Sequence, residues 1–211
     1  MIFAGCSYTW GDELENRLEE RFIHYVKEHY KTEVTDLSQC GASNDFIVNR
    51  ALHEIKTNGV QPTVLQLTVP TRIEYYAEDG PHLFCPYRFR QDNSNFNFRS
   101  GNKKKVPHSL AMSSYYRWVW NKTHGGENLY KNLLLFEQFA KVHNVPYIVL
   151  FNDCDPLADL GYWRNLMDDS TMHCIYKDIL KIIQTPGQGH PNALQHKTIA
   201  EYIIAHTDFD C

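Results

Sequence analysis

Ser7 stands between a short apolar run, Met1-Ile2-Phe3-Ala4-Gly5, and a polar stretch that closes at Gly11. A serine hydroxyl is a weak nucleophile until a base takes its proton and hydrogen-bond donors await the oxyanion. The far end of the chain offers the base: His190 opens a His190-Pro191-Asn192 loop that runs into a helix-forming segment. Gly41, after a second strand-like run, offers a backbone N–H at a turn. Singly, each has a plainer reading. A serine after a strand often caps a helix, a lone histidine often packs in a core, and a lone glycine often only turns the chain. Together, a candidate nucleophile and a candidate base are two of the three parts that acyl-transfer chemistry needs.

The elements between them must bring these residues together. The run ending at Gly5 reads as a buried strand, because it is apolar throughout and stops abruptly at polar residues. From Asp12 to about Tyr30, Leu14, Leu18, Phe22, Ile23, Val26 and Tyr30 recur at helical spacing, with acidic residues in the first turn where the helix dipole favours them. Glu33 to Leu37 reads as a second strand. Ser43 or Asn44 caps a helix carrying Phe46, Ile47, Ala51 and Ile55, which Asn58-Gly59 ends. Pro62 to Val69 is a third strand and Pro146 to Phe151 a fourth. Helical stretches are expected from Ser109 to about Trp120 and from Glu127 to about His143, separated by Gly125-Gly126, then near Met172 to Ile183 and from Ala193 to about Ala205. No fifth strand is evident. The alternating order predicts an α/β fold, a three-layer α/β/α sandwich with four or five parallel strands and the first strand central. Functional loops then lie at the carboxyl ends of the strands, where Ser7, Gly41 and Thr68 fall.

Gly5-Cys6-Ser7-Tyr8-Thr9-Trp10-Gly11 resembles the first motif of the SGNH (GDSL-like) hydrolases, G-D-S-x-T-x-G, with Cys6 in place of the aspartate. Asp36-Leu37-Ser38-Gln39-Cys40-Gly41 is similar to the second, N-x-A-x-x-G, with Asp36 for the asparagine and Ser38 for the alanine. Gly187-Gln188-Gly189-His190-Pro191-Asn192 resembles the last, D-x-x-H-P-N, with Gly187 where the orienting aspartate belongs. The third motif, G-x-N-D, has no counterpart: the third strand leaves through Thr68-Val69-Pro70-Thr71-Arg72. The resemblance implies the flavodoxin-like SGNH fold, Ser7 as nucleophile, His190 as base, and the Ser7 and Gly41 N–H groups as the oxyanion hole. It leaves Asn44, Thr68 and Arg72 as candidates for substrate binding, although Arg72 is equally able to pair with Glu74 on the surface. Gln188, Asp153 or Asp155 are candidates to orient His190. His196, on the final helix, reads as packed or capping.

A chain of 211 residues, 43% hydrophobic, has the length of one domain and buries a real core. Residues 1–211 are read as a single hydrolase-like domain with an insertion at about 73–108. A net charge of −4 argues against a nucleic-acid binder held by overall charge. With neither a signal-peptide pattern nor a long apolar run, the expectation is a cytoplasmic protein with no membrane partner. Six scattered cysteines without a C-x-x-C pair read as reduced thiols. Cys6, Cys40 and Cys154 lie near strand ends, but without paired ligand spacing no metal is expected, and no G-x-G-x-x-G or P-loop pattern indicates a nucleotide. No cofactor is expected. In the insertion, Arg88, Arg90, Arg99 and Lys103-Lys104-Lys105 interleave with Tyr87, Phe89, Phe96 and Phe98. Such a segment suits phosphates and bases, sugar rings, or a lid over the site. The reading is an esterase or deacetylase acting on a small-molecule ester, with an acylated carbohydrate as the leading class. The alternative is a catalytically impaired binding protein on the same scaffold. The oligomeric state is not legible.

Overall fold

The computed structural model describes residues 1–77, 80–84, 121–152, 172–181 and 189–209. Its centre is a parallel sheet of five strands: β1 (Ile2–Ala4), β2 (Thr35–Asp36), β3 (Thr63–Leu67), β6 (Tyr147–Phe151) and β7 (Met172–Cys174), in the order β2-β1-β3-β6-β7. The register runs without a break, Ile2 opposite both Thr35 and Thr63, Leu65 opposite Val149, and Phe151 opposite Cys174. Strands β1 and β3 are buried along their whole length, which is why they read as continuous apolar runs rather than alternating ones. β3, not β1, is the middle strand; β1 is interior, one place from the edge.

The helices flank this sheet. α1 (Ser7–Trp10) is a single turn, closed by Gly11 in the left-handed conformation at φ 79°. α2 (Arg17–Glu20) and α3 (Phe22–Tyr30) follow. The helix expected from Asp12 to Tyr30 is therefore broken: Glu13 has φ 72°, and Arg21 is extended between α2 and α3. The apolar spacing was real, but the left-handed turns at Gly11 and Glu13 prevent one helix from using all of it. α4 (Asn44–Asn58) is capped by Ser43, whose side chain accepts from the Phe46 N–H. It packs on β1, β3 and α5 (Lys122–His143). Gly125 and Gly126 lie inside α5 instead of separating two helices, because Asn121 caps the helix upstream of them. α6 (Ala193–His206) packs against α3.

Met172–Cys174, read from sequence as helical, is the fifth strand, and a short π-helical turn covers Ile175–Leu180. Three residues are too few for a strand pattern to show in sequence. Within the expected insertion, β4 (Ile73–Ala77) and β5 (Gly80–Phe84) form an antiparallel hairpin outside the main sheet. The rest of that insertion, and the helix expected at 109–120, lie outside the described residues. Cys6 and Cys40 are free. Cys174 is disulfide-bonded, to a cysteine outside the described residues, in place of the reduced thiol that scattered spacing suggested. No helix among the described residues is long and apolar enough to cross a membrane.

Candidate active site

Strand β1 ends at Ala4, and the chain turns directly into α1, so Ser7 sits at the carboxyl edge of the sheet. The turn is tight. A Cβ added to Gly5 would lie 2.0 Å from Thr9 Oγ1, so only glycine fits against the first turn of the helix. Thr9 Oγ1 and the Cys6 N–H both donate to Gln66 Oε1 of β3, at 3.0 Å each. Gln66 in turn donates to Asn152 at the end of β6. Cys6, fully buried, points into this amide network, and its Sγ also lies 3.8 Å from Ser7 Oγ, as an acceptor for that hydroxyl. Burial raises its thiol pKa, but the Arg72 guanidinium and hydrogen bonds from the Tyr8 backbone, Thr68 and Asn152 bring it below the ordinary value.

At the other end, Asn192 and Gln195 form a reciprocal capping box at the start of α6. That fixed helix start positions His190 two residues upstream. Tyr176 Oη donates to the Gly189 carbonyl at 3.1 Å and meets Tyr8 Oη at 3.1 Å, tying the histidine loop to α1. The Tyr8 ring lies edge-on to the His190 ring, 5.3 Å between centroids. The outcome is that Ser7 Oγ lies 2.9 Å from His190 Nε2, across 183 residues of sequence. With the ring proton on Nδ1, Nε2 accepts from the serine hydroxyl, the contact that general-base activation requires.

The loop after β2 lies beside this pair. Leu37 N–H donates to the Phe3 carbonyl and Gln39 N–H to the Gly5 carbonyl, at 2.8 and 3.0 Å. Ala42 N–H closes a turn onto the Gln39 carbonyl, and Gly41, third in that turn, has φ 85° with open space where a Cβ would stand. A turn of this kind needs a positive φ at that position. Asp36 and Ser38, the two departures in this motif, serve each other: Asp36 accepts from the Ser38 N–H at 2.9 Å and from its hydroxyl at 2.5 Å, and pairs with Arg21 at 2.5 Å.

Of the candidate substrate contacts, Asn44 and Thr68 are buried and hold each other, the Asn44 amide bonding the Thr68 carbonyl and N–H at 3.0 and 2.8 Å. Arg72 donates to the Ala42 carbonyl at 3.4 Å, next to the Gly41 turn. Gln188, Asp153 and Asp155 lie outside the described residues. His196 is fully buried, stacks on Phe22 with centroids 5.6 Å apart, and accepts from the Phe22 N–H at 3.3 Å. Burial first, then the charges at His190 and Arg21, push its pKa down to about 4.

Two acidic side chains that the sequence offered only as first-turn helix residues are at the site. Asp12 Oδ2 lies 3.9 Å from His190 Nε2 and accepts from Cys40 Sγ at 3.3 Å. Glu13 Oε2 accepts from the His190 N–H at 3.1 Å and stands 3.3 Å from Nδ1. No hydrogen bond joins them, and Nδ1 is buried without a hydrogen-bond partner among the described residues. The signal that could have revealed them is Gly11: a glycine that ends a helix one residue earlier makes Asp12-Glu13 a turn, not a helix start. Among the described residues no three His, Cys, Asp or Glu side chains converge to hold a metal ion.

No protein-family model matches this chain, and no curated protein does. The similarity is in three dimensions. A lipolytic protein assigned to the G-D-S-L family from Desulfitobacterium hafniense superposes with a TM-score of 0.57 at 9% identity, covering 97% of each chain. The psychrotrophic esterase EstA of a Pseudoalteromonas species gives 0.53 at 9%, covering 97% of this chain and 94% of that one. A carbohydrate esterase of family 2 from Myceliophthora fergusii gives 0.51 at 11%, covering 97% and 65%. The chain thus has the fold of the SGNH (GDSL-like) hydrolases, in a sequence far diverged from these solved structures.

Proposed function

We propose that this chain is a serine ester hydrolase in which Ser7 is the nucleophile and His190 its general base. The observation that carries the reading is the 2.9 Å separation of Ser7 Oγ and His190 Nε2 at the carboxyl edge of the sheet. Nε2 takes the hydroxyl proton as Oγ attacks the acyl carbonyl. The tetrahedral oxyanion forms toward the Ser7 and Gly41 N–H groups, with Arg72 beside that turn in place of the missing asparagine. The imidazolium returns its proton to the departing alcohol, leaving an acyl-serine, and the same nitrogen then activates the water that releases the acid. Asn44 and Thr68 hold the start of α4 to the end of β3.

A short-chain ester of a carbohydrate is the substrate class this reading favours. It rests on the fold shared with a carbohydrate esterase and on the aromatic and basic residues of the 73–108 insertion. The second reading, a ligand-binding protein without turnover, is favoured by the absence of the third-motif asparagine from the segment Thr68 to Arg72. Hydrolysis of an aryl acetate and labelling by a phosphonate separate the two. Slow acetate release, Ser7 as the labelled residue, and loss of both in Ser7→Ala and His190→Ala support the hydrolase. A folded protein that neither turns over nor labels refutes it.

A further inference from the structure

We propose that Glu13, two positions beyond Gly11 and on the nucleophile's side of the fold, is the positioning residue for His190, replacing the carboxylate that the Gly187-x-x-His190 loop lacks. The inference rests on the hydrolase reading above.

Three observations converge on it. Glu13 Oε2 bonds the His190 N–H at 3.1 Å and stands 3.3 Å from Nδ1, the ring nitrogen facing away from Ser7. That nitrogen is buried and has no hydrogen-bond partner among the described residues, and the Glu13 carboxylate is the acidic group standing next to it. A proton held on Nδ1 leaves Nε2 as the acceptor toward Ser7, so a carboxylate at Nδ1 selects the tautomer that the 2.9 Å contact needs. Asp12 lies against the opposite nitrogen, at 3.9 Å from Nε2, and is not placed to do this.

The backbone provides the second observation. Glu13 has φ 72°, a region that a glutamate seldom occupies. Unfavourable backbone conformations persist where surrounding contacts fix them, and they gather at functional sites. Here the strained turn aims the side chain at the histidine loop.

Gly189 is the third. A Cβ there would lie 2.8 Å from Glu13 Oε2. The residue before the histidine is therefore small in the place where the carboxylate from α1's loop must enter. The last motif has lost its acid at Gly187, and the space that a side chain at Gly189 would take is filled by the Glu13 carboxylate.

The Glu13 side chain is 61% exposed, so water screens its charge. The effect of removing it belongs with exposed ion pairs rather than with the buried carboxylate of a serine protease. A fall in kcat of roughly twofold to fivefold is expected, with KM little changed, because the interaction strengthens as the imidazolium forms.

The test uses the full chain and two variants. Glu13→Gly removes the carboxylate while keeping a residue at ease at positive φ, and Glu13→Gln keeps the size and the acceptor for the His190 N–H. Nitrogen-15 spectra of His190 in the neutral form read the tautomer without any substrate. The wild type should hold the proton on Nδ1, and Glu13→Gly should move a substantial share of it to Nε2. Aryl acetate turnover should fall in both variants with KM retained, and added formate should restore part of the turnover in Glu13→Gly. An unchanged tautomer in Glu13→Gly overturns the proposal, as does a kcat equal to wild type. If the wild type itself neither turns over nor labels with phosphonate, the hydrolase reading fails, and the tautomer spectra alone then decide whether Glu13 positions the ring.

Discussion

Acidification should weaken this fold through His196. The ring is fully buried between α3 and α6, with Nδ1 accepting from the Phe22 N–H and Nε2 without a hydrogen-bond partner among the described residues. Protonation would set an Nδ1–H against the Phe22 N–H, donor facing donor, in a site already near Arg21 and His190. The folded pKa is accordingly pushed down to about 4 from an ordinary 6.5. The unfolded chain binds a proton below pH 6.5 that the native chain refuses until about pH 4, so stability is lost as pH falls through that window and levels off beneath it. At 1.36 kcal/mol per unit, a difference of about 2.5 pH units gives a total of about 3 kcal/mol, of which about 2 kcal/mol is gone by pH 5. That is a large share of a typical 5–15 kcal/mol. Urea unfolding at pH 7.5 and pH 5.0 measures it, with His196→Asn as reference, since the asparagine Oδ1 keeps an acceptor where Nδ1 stood. The variant should be less stable at pH 7.5 but should lose about 2 kcal/mol less than wild type on acidification. Equal losses in the two proteins would refute the argument.

Other consequences follow from single positions. Gly5→Ala sets a methyl 2.0 Å from Thr9 Oγ1 and 2.6 Å from its Cβ, so α1 must shift; a loss of about 1–3 kcal/mol in thermal unfolding and a steep fall in esterase turnover are expected, and an unaffected turnover would show that α1 is not held as described. Asp36→Asn restores the residue of the family motif, yet should destabilise by about 2 kcal/mol, because it leaves the Arg21 guanidinium facing an amide in a mostly buried site; a double-mutant cycle with Arg21→Met checks that the loss belongs to the pair.

The sheet was legible because burial on both faces forces unbroken apolar runs, and β1, β3 and β6 have them. The meeting of Ser7 and His190 was legible for a related reason: a serine at a strand end and a histidine just before a helix start both sit next to sharp changes in residue type. What sequence periodicity could not show was where a run of helical spacing is interrupted. Leu14, Leu18 and Phe22 fit one helix, yet two left-handed residues, Gly11 and Glu13, and the extended Arg21 divide the segment. The cost of that misreading is specific, since it hid the one described carboxylate beside His190 Nδ1. β7 escaped notice because three residues carry no periodicity.

The departures from the family motifs make sense as exchanges between neighbours and not as independent losses. Asp36 in place of an asparagine comes with Ser38 in place of an alanine and with Arg21 alongside, so a charge at the second motif meets both a cation and two donors. Cys6 in place of an aspartate faces Gln66 and Asn152, a buried amide network in which an unpaired carboxylate would be costly. Gly187 in place of the last aspartate accompanies Gly189, whose missing Cβ leaves space for Glu13. Cys6 with Gln66 and Asn152, and Glu13 with His190, lie far apart in sequence and adjacent in the fold. A chain scored motif by motif looks like a decaying hydrolase, whereas the same residues in their three-dimensional pairs keep Ser7, His190 and Glu13 side by side, the arrangement that the proposed hydrolase requires.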